Sequence, residues 1–263
     1  MIEVLHLSRS WLALIRFFTK LRRKEENLMA KLVFCVLSIV LLAAMVPGGT
    51  AAPATKEGWA VIVVDVQPCF VEGGSLAVSG ADGAYVAKVQ RDTKWLYQNG
   101  YLIFGTRDYH PPGHVSFASH HPGHNPFEVI ELPDGRDQVL WPDHCVQTAG
   151  DSHALVDNNL FFELVKKGQN PLFDSYSAFQ DDGGAKTELH SILQAKGVTH
   201  LVIYGIATDY CVYASVMGAI EQGYSVTVVE DLIRGVAAET SAAVIEEMKA
   251  AGVEFVPSVK KLK

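Results

Sequence analysis

A cysteine at the start of a predicted helix is the residue of this chain best suited to act as a nucleophile. Cys211 follows a buried, β-branched run at 200–204 and a turn at 205–210, and it opens a segment with helical spacing. A thiol at a helix N-terminus lies near backbone N–H groups and the positive end of the helix dipole, which lowers its pKa and favours the thiolate. The same position also suits a buried structural cysteine. The residues around Cys211 must therefore show whether it is a nucleophile or a structural cysteine.

Two charged residues at predicted strand ends could serve such a nucleophile. Asp65 ends the apolar run at 59–64, and Lys167 follows a weaker strand pattern at 161–165. A nucleophilic thiol needs a group that takes and returns a proton, and a nearby cation favours its ionised form. Taken singly, such a carboxylate is usually a cap and such a lysine a solvated strand end. Together with Cys211 they form a chemically coherent set.

Asp108, His110 and His144 have side chains that could bind one metal ion. Asp108 and His110 lie two residues apart where a strand ends, so an extended backbone can direct both toward one point. With His144 they would make a site of two or three protein ligands with open positions, which is typical of catalytic rather than structural zinc. The alternative is a histidine-rich surface loop, because that stretch also contains His114, His120, His121 and His124.

The order of elements predicts how these residues are brought together. Strands are predicted at 59–64, 101–105, 161–165, 200–204, 225–229 and 253–256, and helices at 84–98, 185–196, 209–222 and 238–250. Such alternation predicts an α/β fold, a three-layer α-β-α sandwich with a mostly parallel, Rossmann-like sheet of about six strands. Ligands bind outside the carboxyl ends of such strands, where the acidic, lysine and cysteine candidates all lie. The histidine-rich loop at 109–150 is long enough to predict a functional role.

Composition excludes some classes of function. The 263 residues are 49% hydrophobic with a net charge of −7, and beyond residue 52 there are 15 basic and 26 acidic side chains, a charge of −11. A body this acidic is a poor binder of polyanions, so no nucleic-acid partner is expected. Three cysteines beyond residue 52, at wide spacing, do not indicate a disulfide scaffold. The absence of a Cys-x-x-Cys motif argues against a thiol–disulfide oxidoreductase.

The N-terminal 52 residues have the pattern of a cleavable export signal. An uncharged run at 32–46 follows Lys31 and precedes the small residues Pro-Gly-Gly-Thr-Ala-Ala. The run is short for a membrane span, and the alternatives are a signal anchor or a buried helix. Met29 would be a normal start for such a peptide. We therefore expect a signal segment at 1–52, a hydrolase domain at 53–263, export to the periplasm, and no stable membrane anchor after cleavage.

Several short segments resemble the isochorismatase-like cysteine hydrolases, in particular their nicotinamidase branch. They are 64–67 (VDVQ) with 73–78 (GGSLAV), 108–110 (DYH) with 116–118 (SFA), 141–146 (WPDHCV), 174–179 (DSYSAF) and 205–212 (GIATDYCV). Each is weak alone, but together they follow the family's order and cover residues 58 to about 257. One departure is Pro68-Cys69, where family members often have Asn-Asp. It places a second thiol close to the expected site and raises the question of redox sensitivity.

This resemblance implies a role for each site residue. The implied catalytic triad is Asp65, Lys167 and Cys211, with Lys167 preferred over Lys166 because the family's lysine directly precedes glycine. The implied metal ligands are Asp108, His110 and His144, with His114 as a fourth in some members. The implied oxyanion hole uses the Ala207 and Cys211 amides after a cis peptide between Ile206 and Ala207. The implied substrate contacts are Phe70, Trp141 and Ile206.

The resemblance also implies the reaction. It is the hydrolysis of nicotinamide to nicotinate and ammonia through a cysteine thioester, a step of NAD salvage, with pyrazinamide as a second substrate. The expected cofactor is one divalent ion per subunit, zinc first, with iron and manganese as alternatives. The resemblance does not fix the oligomeric state, and a homo-oligomer is one alternative. The rival hypotheses are a related amidohydrolase of another small carboxamide or ureido compound, and a non-catalytic exported metal-binding protein.

The export signal makes a direct prediction. Expression in a bacterium with a secretion system should give a mature protein that starts near Ala52 or Pro53, because small residues bound the apolar run. N-terminal sequencing of the soluble protein measures this. A full-length soluble product in the cytoplasm would show that the segment is not a signal peptide.

Overall fold

The computed structural model describes residues 55–262 and Lys20. The strands of residues 55–262 are β1 (Trp59–Val64), β2 (Leu102–Asp108), β3 (Val129–Glu131), β4 (Asp137–Val139), β5 (Glu163–Lys167), β6 (His200–Ile206), β7 (Ser225–Arg234) and β8 (Glu254–Val256). The α-helices of the same range are α1 (Gly83–Gln98), α2 (Leu189–Ala195), α3 (Tyr213–Glu221) and α4 (Ala238–Ala250). The expected signal segment at 1–52 lies, apart from Lys20, outside the described residues.

The central sheet has six parallel strands in the order β5-β2-β1-β6-β7-β8. Strand β1 has five of its six residues buried, as expected for a strand covered on both faces by helices. The predicted α-β-α sandwich with a mostly parallel sheet of about six strands is therefore confirmed. Strands β3 and β4 form a separate antiparallel hairpin within 109–150, a segment that the sequence pattern predicts to be a loop.

The topology brings distant residues to one rim of the sheet. Strands β2 and β5 lie on one side of β1, and β6, β7 and β8 lie on the other. The carboxyl ends of β5, β2, β1 and β6 are therefore next to one another along one edge of the sheet. Asp108 and Lys167 are direct partners in the β2–β5 ladder, and Asp65 directly follows β1. The rim of four neighbouring strands is thus where the candidate side chains meet.

Four strands extend further than their apolar runs predict. Strand β2 continues through Asp108, β5 through Lys167 and β6 through Ile206, and β7 continues to Arg234. In a parallel ladder a strand continues as long as a neighbour accepts its backbone bonds, whatever the polarity of its side chains. The polar ends of β2 and β5 are consequently held by regular hydrogen bonding rather than by loops.

The segment that carries Cys211 differs from the expected single helix at 209–222. Residues Thr208–Val212 form a π-helical turn, and the regular helix α3 begins only at Tyr213. Single π-helical turns are uncommon and are often found at functional sites.

Among the described residues, no helix is long and apolar enough to span a bilayer.

Candidate active site

Lys167 is the centre of a buried polar network. Its ammonium lies 2.8 Å from Asp65 Oδ2, contacts Asp108 Oδ1, and donates to the Ser175 carbonyl at 2.9 Å. It also lies 3.3 Å from Cys211 Sγ. The side chains of Lys167 and Asp65 are completely buried. The structure therefore brings the three residues of the predicted triad together around one cation.

Charge in this network is set by burial and by the shared cation. Burial opposes the charge on Lys167, but the Asp108 and Asp65 carboxylates outweigh it and raise the pKa of the ammonium well above its usual range. Burial raises the pKa of Asp65 to about 6, although the Lys167 ammonium acts against that shift. A carboxyl group with a pKa near 6 is ionised at neutral pH and is still readily protonated. That is the property required of a general base that must later act as an acid.

The Cys211 thiol is protonated at rest, contrary to the expectation from its helix-start position. Burial raises the pKa of the thiol well above its usual range, and the Lys167 ammonium only partly offsets this because the Asp65 and Asp108 carboxylates lie close by. The regular helix also begins at Tyr213, four residues later than expected and two residues after Cys211. A lowered thiol pKa is therefore the wrong prediction for this site, and the thiol needs a base to become a nucleophile.

The orientation of the Asp65 side chain is set by its own backbone conformation and by Thr106 on the neighbouring strand β2. Asp65 has a φ of +47°, in the left-handed region that residues other than glycine adopt only rarely. Thr106 on β2 donates to Asp65 Oδ1 at 2.7 Å and accepts from the Asp65 backbone at 3.3 Å. One carboxylate oxygen is thereby fixed, and the other is directed at Lys167.

Gln67 and Asp209 are two positioning residues that sequence reasoning did not single out. Gln67 accepts from the Asp108 backbone N–H at 2.7 Å and donates to the Asp108 carbonyl at 2.9 Å, so it holds the backbone of Asp108 on both sides of its Cα. Asp209, two residues before Cys211, accepts from the backbone of Val236 and Ala237 at the start of α4. Both residues lie in segments that resemble the isochorismatase-like hydrolases. That resemblance is the sequence signal that could have identified them.

Asp108, His110 and His144 form a compact group suited to a divalent cation. One ligand atom from each lies within 4.8 Å of the others, and all three side chains are buried. Asp108 Oδ2 is 3.6 Å from His110 Nε2 and 3.9 Å from His144 Nε2. Nδ1 of His110 bonds the Gly168 carbonyl at 3.0 Å, and Nδ1 of His144 bonds the Pro142 carbonyl at 2.7 Å. A carbonyl partner fixes the proton on Nδ1 and leaves Nε2 with its lone pair for a metal.

The pKa values of the two histidines shift in opposite directions. Burial, together with the neighbouring His110, lowers the pKa of His144 to about 4, so its imidazole is neutral at neutral pH. Burial lowers the pKa of His110 as well, but the Asp108 carboxylate outweighs it and raises the net value. His110 Nε2 is buried without a hydrogen-bond partner. A divalent cation would satisfy this orphaned nitrogen and the carboxylate together, so the three side chains fit a metal.

His114 lies beside this group, but its ring nitrogens are engaged elsewhere. Its ring centroid is 4.3 Å from that of His110. Nδ1 contacts Ser116 Oγ at 2.8 Å, and Nε2 contacts the Phe173 carbonyl at 3.1 Å. Because the carbonyl requires a proton on Nε2, this geometry does not support His114 as a fourth ligand.

An aromatic pocket opens onto both groups. Its lining includes Asp108 and His144 from the metal-type group and Cys211 from the triad. The expected aromatic residues Phe70 and Trp141 are part of the wall. The remaining lining was not expected: Leu76, Val78, Asp174, Tyr176, Tyr210 and Val236.

The unexpected aromatics reinforce the expected ones. Trp141 packs edge-on against Tyr210 with ring centroids 4.9 Å apart and donates to the Tyr176 hydroxyl at 3.1 Å. A flat aromatic ligand would therefore meet rings on several sides.

The turn after β6 has the backbone that the resemblance implied. The Ile206–Ala207 peptide is cis, and Ala207 and Cys211 both line the pocket. Ile206 itself is completely buried in the hydrophobic core and is not among the pocket-lining residues, so the structure does not support a substrate contact by its side chain.

The cysteines also differ from expectation. Cys69 and Cys145 form a disulfide, and Cys211 is free within residues 55–262. The wide spacing of 76 residues gave no sign of this bond, because pairing depends on where the fold returns the chain.

Comparisons with known proteins agree on one family. The Isochorismatase domain model matches residues 59–258. The nicotinamidase of Escherichia coli is 41% identical over 198 residues, which cover 73% of this chain and 92% of that protein. A nicotinamidase and pyrazinamidase structure from Acinetobacter baumanii superposes with a TM-score of 0.71 at 34% identity, over 78% of this chain and 99% of that one. A Pyrococcus horikoshii pyrazinamidase, solved in complex with zinc, gives a TM-score of 0.64 at 32% identity, over 76% and 98%.

The buried network predicts very different roles for two adjacent lysines. Lys167→Met leaves two buried carboxylates without their cation, so we expect about 3 kcal/mol or more of lost stability and no well-ordered triad. Lys166→Met, on the exposed neighbour, should change stability by less than about 0.5 kcal/mol. Denaturant unfolding of both variants at neutral pH measures the difference. Equal stability of the two variants would contradict the buried-cation assignment.

Proposed function

This chain belongs to the isochorismatase domain family, and we propose that within it the protein is a nicotinamidase that hydrolyses nicotinamide to nicotinate and ammonia. The observation that carries the proposal is the shared pocket, whose wall includes members of the metal-type group and the Cys211 thiol. A substrate for such a pocket is a flat ring with a metal-binding nitrogen at one side and a carboxamide at the other. Nicotinamide has both features.

The first chemical step forms a thioester on Cys211. Asp65, ionised at neutral pH, takes the thiol proton as the sulfur attacks the carboxamide carbon. Lys167 balances the charge that passes between them, since its ammonium lies within 3.3 Å of Cys211 Sγ and 2.8 Å of Asp65 Oδ2. The Ala207 and Cys211 backbone amides are the proposed donors to the developing oxyanion.

The second half of the reaction returns the enzyme to its resting state. Protonated Asp65 donates its proton to the departing amine, which leaves as ammonia and completes the thioester. A water molecule then attacks the thioester while Asp65 takes a proton from it, and nicotinate leaves. The sulfur recovers its proton from Asp65, so the cycle consumes one water and releases nicotinate and ammonia.

A divalent ion is the proposed cofactor, with Asp108, His110 and His144 as its ligands. When bound, it would supply a Lewis-acid centre for the ring nitrogen of the substrate. We propose zinc, with iron and manganese as alternatives, because one carboxylate and two imidazoles are common zinc ligands. The zinc complex of the Pyrococcus horikoshii pyrazinamidase supports this choice. Pyrazinamide keeps the ring nitrogen and the carboxamide, so we propose it as a second substrate.

We also propose that the protein works after export, in the periplasm. The support comes from the disulfide between Cys69 and Cys145, since disulfides form and persist in oxidising compartments and are rare in the cytosol. This observation is independent of the apolar run at 32–46.

The proposed reaction predicts turnover that depends on both the thiol and the ring nitrogen. Zinc-loaded protein should release nicotinate and ammonia from nicotinamide, while benzamide, which lacks the ring nitrogen, should react at least about 100-fold more slowly. Cys211→Ala should show no turnover. Liquid chromatography of nicotinate, with an enzymatic ammonia assay, measures both. Turnover in Cys211→Ala would exclude the thioester mechanism, and equal rates on benzamide would favour another amidohydrolase.

Removal of the metal should separate substrate positioning from thiol reactivity. Chelation, or His110→Ala, should abolish steady-state hydrolysis because a misplaced carboxamide does not meet the sulfur. The rate of Cys211 alkylation by iodoacetamide should stay the same, since Asp65 and Ser175 still hold Lys167. The exposed His153→Ala is the matched control and should keep both activities. Normal hydrolysis by metal-free protein would show that the ion is not required.

A further inference from the structure

The Cys69–Cys145 disulfide lies between two residues of the proposed site. Cys69 directly precedes Phe70, which lines the pocket, and Cys145 directly follows His144, a proposed metal ligand. Both cysteines are completely buried. The rings of Phe70 and His144 are in contact, with centroids 5.5 Å apart. The bond therefore joins the loop after β1 to the histidine-rich loop at the point where both reach the pocket.

On the first side of the bond, the Cys69 segment holds one wall of the pocket. The Cys69 carbonyl accepts from the Leu76 backbone at 2.9 Å, and the Phe70 carbonyl accepts from the Val78 backbone at 2.9 Å. Leu76 and Val78 both line the pocket. A Cβ on Gly74 would lie 2.4 Å from the Cys69 carbonyl oxygen, so the loop closes tightly on this residue.

On the second side, the Cys145 segment holds two of the proposed metal ligands. The Cys145 carbonyl accepts from the His110 backbone at 3.1 Å, and Gln147 donates to the His110 carbonyl at 2.9 Å. Cys145 has a φ of +47°, a left-handed conformation that L side chains rarely adopt and that surrounding structure must hold. His144 and His110 thus depend on the backbone at Cys145.

We propose that the Cys69–Cys145 disulfide is a positioning bond of the active site, which fixes the pocket wall bearing Phe70 against the loop bearing His144. The triad is held by other contacts, since Asp65 and Lys167 lie at strand ends and Cys211, in the turn after β6, contacts Lys167. Breaking the bond should therefore weaken substrate and metal binding and spare the thiol.

The test compares the double variant Cys69→Ala/Cys145→Ala with Leu193→Ala and the unaltered protein. Leu193 is completely buried on α2, away from the pocket lining, so its truncation lowers Tm by leaving a core cavity. Three quantities are measured for each protein: KM for nicotinamide, Kd for zinc, and the rate of Cys211 alkylation by iodoacetamide. Because both variants lower Tm, a change found only in the double variant reflects lost positioning of the site and not a general loss of stability.

The double variant should raise KM and the zinc Kd each by about 10-fold or more, as loss of supporting groups around metal ligands commonly does, with the alkylation rate unchanged. Leu193→Ala should leave all three unchanged. The proposal is overturned if KM and the zinc Kd stay unchanged in the double variant, or if all three quantities worsen together. It rests on the proposed function only for KM, because zinc affinity and alkylation decide it even in a protein that does not turn over nicotinamide.

Reversible reduction of the unaltered protein gives a second measurement if the double variant does not fold. Dithiothreitol transfers two electrons and two protons to the bond, giving two cysteine thiols and its own cyclic disulfide. After anaerobic removal of the reagent, the zinc Kd should rise by about 10-fold and return on reoxidation. A zinc Kd that is the same in the reduced and oxidised protein would overturn the proposal.

Discussion

A single buried ammonium that serves two buried carboxylates is the interaction on which the rest of this site depends. Removing charged groups from water costs several kcal/mol each, so none of the three could remain ionised at this depth alone. Lys167, Asp65 and Asp108 offset that cost by contact with one another. Because two carboxylates share one cation, no positive charge is left over to hold Cys211 as a thiolate. The thiol is consequently neutral at rest, and Asp65, with a pKa of about 6, is available as its base.

The architecture of the sheet follows from the need to bring these charges together. The three residues come from the ends of β1, β2 and β5, and Cys211 comes from the turn after β6, so four neighbouring strands end at one point. Asp108 belongs to both halves of the site, since one oxygen faces Lys167 and the other faces the two histidines. The proposed metal site and the proposed nucleophile are thereby built on the same carboxylate. This sharing explains why one pocket reaches both.

The sequence allowed the sheet and the principal side chains to be predicted, because both depend on local pattern. Buried runs ending at Asp65 and Asp108, and a cysteine after a β-branched strand, are readable without a structure. What could not be read depends on contacts between distant segments. Gln67 holds the backbone of Asp108, 41 residues away, and Cys69 pairs across 76 residues. The thiol pKa was predicted in the wrong direction because helix-start position is visible in sequence, whereas burial beside two carboxylates is not.

The state of the Cys211 sulfur at rest tests the central claim most directly. The measurement is the thiolate absorbance near 240 nm, taken as the difference between metal-free protein and its Cys211→Ala variant from pH 5 to pH 9, with an ordinary cysteine thiol titrating at about 8.5. The shared-cation account predicts no thiolate absorbance at neutral pH, because burial and the two carboxylates hold the pKa of the thiol above its usual range. A thiolate already present at pH 7 would contradict it, since Lys167 would then pair with the sulfur and Asp65 would have no proton to take.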